Sequence, residues 1–250
     1  MTGAEETFER LDLAFESALR SVVEPGPPPV VLFSGGVDSG LLAWELRRAR
    51  GASLVTVGVA GSDDLEQAAR AADWIGLPWA GRTLEDDDLA RVEETARPEL
   101  VGVPGPRRGI FVALAAAVAS APRGPLVCGQ GADELFFGYA HYRGLSAEAA
   151  AARSSSDLRA LREDDWPRTL RIAALWGREV LAPYLDPGFV LAACGIPAVE
   201  RLPGTLTKVL FRRWAVHRGL PESLAQRPKR ALQYGSGIDR WLRRRRPRAP

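Results

Sequence analysis

The chain has 250 residues, of which 46% are hydrophobic and 26% are charged, with a formal net charge of +2. That composition is typical of a globular protein with a sizeable core and argues against a fibrous or disordered chain. No apolar run reaches the roughly 18 residues that a membrane span needs, and the acidic N-terminus lacks the features of a secretion signal. The two cysteines have neither metal-binding nor redox spacing, so we expect a cytoplasmic protein without a disulfide framework.

The first half of the chain predicts alternating helices and strands. An amphipathic helix over 4–23 leads to a short apolar strand, Val30 to Phe33, of the kind found in buried parallel sheets. Further segments follow in chain order: helix 41–50, strand 54–59, helix 64–74, strand 79–84, helices 86–96 and 111–120, and strand 125–128. Strands separated by such helices predict right-handed βαβ units in a mainly parallel sheet.

Beyond Tyr142 the strand signals fade, and the sequence predicts helices interrupted by proline and glycine. The predicted fold class is α/β, with a doubly wound, mainly parallel sheet and a helical C-terminal continuation. We expect one domain over residues 1–250, with its core at about 28–144, a helical part at about 145–240 and a basic tail at 241–250. The arginines of that tail could bind nucleic acid or another polyanion; a solvated tail is the simpler interpretation, because no aromatic residues are interleaved with them.

Two glycine-rich loops follow predicted strands, SGGVDS at 34–39 and GQGADE at 129–134. Glycine lets an anionic group approach the backbone, and the loop hydroxyls and the following helix N-terminus would converge on a phosphate. Asp38 would repel a bare phosphate. This conflict indicates Mg²⁺ between the two groups, with Asp133 as a second ligand at the same sheet edge.

The SGGVDS segment resembles the PP-loop of the N-type ATP pyrophosphatases, and it lacks the G-x-x-x-x-G-K and G-x-G-x-x-G patterns of other nucleotide loops. More narrowly, the chain resembles the synthetase domain of asparagine synthetase and the related β-lactam synthetase. Five segments carry this resemblance in order across about residues 30–240: SGGVDS, GSDDLEQAA, GQGADELFFGY, WGREVLAPYLD and RPKRALQYGSGI. The resemblance implies a PP-loop fold of the adenine nucleotide α-hydrolase type, with ATP and Mg²⁺ as cofactors.

The resemblance also implies roles for individual residues. It places the ATP and pyrophosphate contacts at Leu32, Ser34, Gly35, Gly36, Asp38, Ser39, Val57 and Gly129. It gives Mg²⁺ to Asp38 and Asp133, and transition-state stabilisation to Lys229, whose mobile point charge suits developing negative charge. Arg107 and Arg108 lie near the segment with which the family holds its amino-acid substrate; two solvated arginines are an equal alternative.

Several features depart from the family pattern. Thr2 follows Met1 where the family's glutaminase domain needs a nucleophilic cysteine. We therefore expect no glutaminase domain, and nitrogen from ammonia, an amine or a separate glutaminase subunit. Gln130 stands where asparagine synthetases carry glutamate; its amide can orient a nitrogen nucleophile but cannot take a proton. If a base is needed, the resemblance implies Glu179, which falls on a glutamate that the lactam enzymes use. Leu181 replaces the usual arginine, which leaves the substrate open.

The leading hypothesis is an AMP-forming carboxylate–amine ligase. Such an enzyme would adenylate aspartate or a related amino acid or intermediate, release pyrophosphate, and then form an amide with ammonia or an amine. One alternative is a PP-loop tRNA-modifying enzyme that adenylates a base, although the cysteine pairs used in sulfur transfer are missing. Another is a catalytically degenerate ATP-binding subunit that has lost its base at Gln130. No membrane partner is expected.

Overall fold

The computed structural model describes residues 3–24, 26–204, 206–227 and 235–245. Its strands are β1 (Val30–Leu32), β2 (Ser53–Gly58), β3 (Trp79–Thr83), β4 (Leu126–Val127) and β5 (Val180–Leu181). They form one five-stranded sheet in the order β3-β2-β1-β4-β5, and every neighbouring pair is parallel. The predicted α/β class with a doubly wound parallel sheet is confirmed.

Helices connect these strands and cover both faces of the sheet. The helices of the described ranges are α1 (Gly3–Leu19), α2 (Val37–Ala49), α3 (Asp63–Ile75), α4 (Asp86–Leu100), α5 (Gly105–Ser120), α6 (Ala132–Leu135), α7 (Ala147–Ala160), α8 (Trp166–Ala174), α9 (Pro187–Cys194), α10 (Ala198–Arg201), α11 (Val209–His217), α12 (Glu222–Ala225) and α13 (Ile238–Arg245). A π-helical turn, Leu161–Asp165, joins α7 to α8. Of the helices described, none is long and apolar enough to cross a bilayer.

The sheet is buried on both faces because its strand residues alternate between two hydrophobic clusters. Val31 and Leu54 pack with α1, α2, α9 and α11, whereas Val30 and Val55 pack on the opposite face with α4, α5 and α8. Fully burying a side chain of this size contributes about 1.5–3 kcal/mol. The short, almost uninterrupted apolar runs of the strands therefore specify the middle layer of the fold.

The strand order reverses at β1. The chain first adds β2 and β3 on one side of β1 and later places β4 and β5 on the other side. In open α/β sheets, ligands usually bind in the crevice outside the carboxyl ends of the strands that flank such a reversal. Here these strands are β1 and β4, so the topology brings the two glycine-rich loops to one crevice.

The structure differs from the predicted domain plan in two places. The strand β5 lies in the part predicted to be helical, and its pairing with β4 completes the sheet. The segment predicted as a basic tail is helical as far as Arg245, and Trp241 and Leu242 are only 5% and 8% exposed. Both side chains pack in the cluster that contains α5, so a solvated tail does not describe residues 241 and 242.

Candidate functional site

The loop after β1 has the geometry of a phosphate cradle. Gly35 adopts a left-handed conformation with φ of +67°, and Gly36, which has no side chain for capping, is the N-cap of α2. The first N–H groups of α2 are therefore available to an anion. The hydroxyls of Ser34 and Ser39 share a hydrogen bond of 3.2 Å in the same loop, which leaves one of their two protons for a ligand.

The second glycine loop packs directly on the first. A Cβ atom at Gly129 would lie 3.0 Å from the Cβ atom of Asp38, so only glycine allows this approach without a shift. The WGREVLAPYLD segment supports both loops, because the phenol of Tyr184 donates a hydrogen bond of 2.9 Å to the carbonyl oxygen of Asp38. Three of the sequence motifs thus meet at the β1–β4 crevice.

Asp38 and Asp133 converge on one cation, the buried ammonium group of Lys208. The Lys208 Nζ atom lies 2.6 Å from both carboxylate oxygens of Asp38 and 2.8 Å from Oδ1 of Asp133. A side chain at Gly138 would collide with this arrangement, since its Cβ atom would lie 2.0 Å from Asp133 Oδ1 and 2.3 Å from Lys208 Cε. The last glycine of GQGADELFFGY therefore makes room for the lysine.

Lys208 is a candidate functional residue that the sequence analysis did not identify. Its side chain has no solvent-exposed surface, and its φ of +59° is unusual for a residue with a Cβ atom. Non-glycine residues in such strained conformations concentrate at functional sites. A signal was present in the composition, because Lys208 and Lys229 are the only lysines among 33 basic residues. Lysine carries a compact charge on a flexible stem, whereas the charge of arginine is spread over a planar group.

The carboxylates of Asp38 and Asp133 fit Mg²⁺ only when phosphate oxygens complete its coordination. Nucleotide sites commonly hold Mg²⁺ with one or two carboxylates together with phosphate oxygens, which Asp38 and Asp133 can supply when ATP is present. In the part of the chain that the structure describes, no cluster of three or more His, Cys, Asp or Glu side chains offers an all-protein metal site. Binding of a metal between the two carboxylates requires Lys208 to release at least one of them.

Three of the residues predicted to contact ATP lie along the same edge. Leu32 is the last residue of β1, and Val57 is the second-last residue of β2. Gly129 is the second residue after the end of β4. Because the strands are parallel and adjacent, these three positions line the carboxyl edge of the sheet beside the phosphate loop. The structure thus brings together the residues predicted for the nucleotide.

Gln130 is held by a neutral partner. Its side-chain nitrogen donates a hydrogen bond of 3.1 Å to the hydroxyl of Thr169 on α8, a contact that the sequence did not indicate. Gln130 is partly exposed and directly follows Gly129, which packs on the phosphate loop. It therefore lies beside the crevice.

Arg107 and Arg108 lie in the first turn of α5, and both are ion-paired. Arg107 binds Asp164 at 2.7 Å and also Asp165, while the guanidinium of Arg108 lies 2.8 Å from Glu93. The side chains of Arg107 and Arg108 remain 41% and 26% exposed. A substrate carboxylate would have to displace an internal one.

Glu179 lies at the wrong edge of the sheet for a base. It directly precedes β5, and its backbone carbonyl accepts a hydrogen bond from the amide of Leu126 at the start of β4. In a parallel sheet this is the amino-end edge, opposite to the glycine loops, and the side chain is exposed. The geometry contradicts its predicted role.

Lys229 lies outside the described residues.

Asp64 is a buried carboxylate in the first turn of α3. It is 6% exposed, and a Cβ atom at Gly235 would lie 2.0 Å from its Oδ1 atom, so the carboxylate packs against the backbone there. Burial raises the pKa of Asp64 from the usual 3.8 to about 7, with partial opposition from Arg227. The helix N-terminus favours the charged form, but in this position desolvation outweighs it.

This raised pKa predicts that the protein loses stability as the pH rises between about 4 and about 7, because the folded state keeps a proton that the unfolded chain releases. Asp64→Asn should remove this loss. Relative to the unaltered protein, we expect the variant to gain about 2 kcal/mol in unfolding free energy between pH 5 and pH 8, measured by urea denaturation. Asp73→Asn, at an exposed position of the same helix, is the control and should show no such pH-dependent gain.

The fold and the crevice together define an α/β protein in which a glycine loop opens a helix at the switch point of a parallel sheet. Residues 9–170 and 144–249 match the family described as Asparagine synthase. The chain belongs to this family, which confirms the predicted resemblance.

Individual relatives are distant. Two asparagine synthetases of Lotus japonicus, both described as glutamine-hydrolyzing, are 27% and 26% identical, and each alignment covers 92% of this chain and 43% of the relative. The chain therefore spans less than half the length of these relatives. Among solved structures, an NMN synthetase from Francisella tularensis matches with a TM-score of 0.48 and 11% identity, over 100% of this chain and 90% of that one.

Proposed function

We propose that this protein is an AMP-forming carboxylate–amine ligase of the asparagine synthase type that uses ATP and Mg²⁺. The observation that carries the proposal is the meeting of two glycine loops at the β1–β4 crevice, where Asp38 and Asp133 share one cation. Family membership supports the same reaction class. The proposed substrates are aspartate or a related carboxylate, with nitrogen from ammonia, an amine or a separate glutaminase subunit.

In the proposed first step, a carboxylate oxygen of the substrate attacks the α-phosphorus of ATP, and the bond from that phosphorus to the pyrophosphate oxygen breaks. The N–H groups at the start of α2 and the hydroxyls of Ser34 and Ser39 would hold the departing pyrophosphate. When bound between Asp38 and Asp133, Mg²⁺ would neutralise phosphate charge. Donors fixed in advance stabilise charge that develops in the transition state without further reorganisation.

Lys208 is proposed to act in two stages. Without a nucleotide, its ammonium holds together two carboxylates that would otherwise repel each other. If Asp38 and Asp133 held Mg²⁺, the ammonium would be released from them, and the flexible lysine stem would allow it to contact a phosphate oxygen instead.

Lys229 is proposed as a further cation for the transition state. Arg227, the last described residue before Lys229, donates a hydrogen bond of 2.8 Å to the carbonyl oxygen of Gly35 in the phosphate loop, and this contact supports the proposal.

In the proposed second step, the nitrogen lone pair attacks the acyl carbon of the adenylated substrate. The bond from this carbon to the AMP oxygen breaks, AMP leaves, and the surplus proton on nitrogen passes to water. Gln130 is proposed to orient the nitrogen by accepting an N–H hydrogen bond. With Glu179 at the opposite edge of the sheet, no role as base is proposed for it.

The test is release of pyrophosphate from ATP over a panel of amino acids, beginning with aspartate, with and without ammonium chloride. We expect Mg²⁺-dependent release with one carboxylate and an equal amount of AMP once ammonia is present. Release that requires tRNA instead would favour the modifying enzyme. ATP binding without release under any of these conditions would favour the degenerate subunit and contradict the ligase.

A further inference from the structure

A hydrogen-bond chain between Gln130 and α8 determines which way the Gln130 amide points. The hydroxyl of Thr169, a fully buried residue, donates to the backbone carbonyl of Asp165 at 2.9 Å. A carbonyl oxygen can only accept, so the single hydroxyl proton of Thr169 is committed to this bond. Towards Gln130, 3.1 Å away, Thr169 can therefore act only as acceptor. The amide nitrogen of Gln130 must face Thr169.

The opposite end of the amide agrees with this orientation. The thiol of Cys128 lies 3.8 Å from Oε1 of Gln130, at which distance it is a weak donor. Burial raises the pKa of the Cys128 thiol to about 12, so it remains protonated at neutral pH and can donate. Oε1 has two lone pairs, and one weak S–H contact leaves acceptor capacity for a ligand.

We propose that Thr169 is a positioning residue for amide formation: it holds the Gln130 side chain so that Oε1 is the acceptor offered to an N–H group of the nitrogen nucleophile. This inference rests on the proposed ligase function. It adds Thr169 as the residue that orients the Gln130 amide, whose oxygen accepts from the nucleophile. The hydrogen bond between Gln130 and Thr169 joins the loop after β4 to α8. The π-helical turn Leu161–Asp165 ends at the residue whose carbonyl Thr169 binds, and such turns are frequent at functional sites.

The side chains of Gln130, Thr169 and Cys128 together favour one class of nucleophile. Neither an amide nor a hydroxyl takes a proton at neutral pH, and the Cys128 thiol already holds one. These three side chains can orient an N–H group but cannot convert an ammonium ion into a nucleophile. They suit a nitrogen that arrives as the free base, either unprotonated ammonia or a weakly basic amine.

The experiment compares the two steps in Thr169→Val, which keeps the shape of the side chain and removes its hydroxyl. The probe is ammonium chloride with the carboxylate that gives pyrophosphate release in the unaltered protein. We expect the KM for ammonia to rise about fivefold, the effect of one lost neutral hydrogen bond, with a smaller change in the rate of pyrophosphate release. Thr169→Ser keeps the hydroxyl and should restore the KM.

A matched control is Thr95→Val on α4, because the Thr95 hydroxyl makes the same bond to a carbonyl four residues earlier, at 2.9 Å, on an exposed surface. It should change neither step. An unaltered KM for ammonia in Thr169→Val, or an equal fall in both steps that Thr169→Ser does not reverse, would overturn the positioning role alone. Failure of the unaltered protein to release pyrophosphate with any carboxylate would overturn the ligase function and this inference together.

Discussion

We expect Lys208→Met to unfold about 10 °C below the unaltered protein when Mg²⁺ is absent. Methionine matches the length of the lysine stem but removes the ammonium that lies between Asp38 and Asp133. Removal of one partner from a buried ion pair costs about 3–5 kcal/mol, because the remaining charges lose their compensation. Here the remaining charges are of like sign, which adds repulsion. Thermal unfolding followed by circular dichroism measures the effect.

Mg²⁺ should reverse much of this loss. The same two carboxylates that contact the Lys208 ammonium form the metal site we propose, and in Lys208→Met no ammonium competes for them. A ligand that binds only the folded state stabilises it by about 2.7 kcal/mol at a hundred times its dissociation constant. Millimolar Mg²⁺ should therefore raise the unfolding temperature of Lys208→Met more than that of the unaltered protein.

The control for this prediction is Lys208→Met combined with Asp38→Asn and Asp133→Asn. Neutral residues of similar volume often replace a buried ion pair at little cost, so the triple variant should recover most of the lost stability and should not respond to Mg²⁺. Equal unfolding temperatures for Lys208→Met and the triple variant would show that repulsion between carboxylates is not the cause.

The sequence predicts the strands and glycine loops whose conformation depends on the residues within them. The glycine loops 34–39 and 129–134 each follow a short apolar run, which forms a strand of the buried sheet. Glycine is needed at position 35 because the backbone there has a positive φ, and at position 129 because the two loops approach each other closely. Once the strands are known to be parallel, the switch-point rule brings the loops together. The crevice could therefore be inferred from the sequence.

The features that were missed depend on partners far away in the chain. A two-residue strand such as β5 has no periodicity, and it exists because β4 offers it hydrogen bonds. Trp241 and Leu242 stand beside an arginine run that suggested solvent, yet α13 buries both of them under α5. Glu179 matches a family motif in sequence, but a motif alone does not say at which end of a strand a residue lies. The contact of Lys208 with Asp38 spans 170 positions, and only the rarity of lysine in this chain hinted at it.

Asp38→Asn should lower the rate of pyrophosphate release by at least about 100-fold, the usual cost of removing one pre-organised charge or dipole from a reacting centre. The structure explains why one carboxylate has so large an effect. Lys208 supplies one positive charge between Asp38 and Asp133, so these three groups carry a net negative charge that attracts a divalent cation, and Asp38→Asn makes them neutral. ATP affinity should fall much less, because the phosphate contacts that we propose come from backbone N–H groups and from Ser34 and Ser39.

Rapid-mix measurement of pyrophosphate, together with calorimetric titration of ATP, separates these two effects. The variant should remain folded, since Lys208 keeps Asp133 as a partner and the Tyr184 hydroxyl binds the backbone of residue 38, not its side chain. Asp87→Asn, an exposed carboxylate in the first turn of α4, is the matched control and should retain the full rate. A normal rate in Asp38→Asn would mean that the metal is held elsewhere. In that case the convergence of Asp38 and Asp133 on Lys208 would be a structural ion pair, and the ligase site proposed at the β1–β4 crevice would lose its main support.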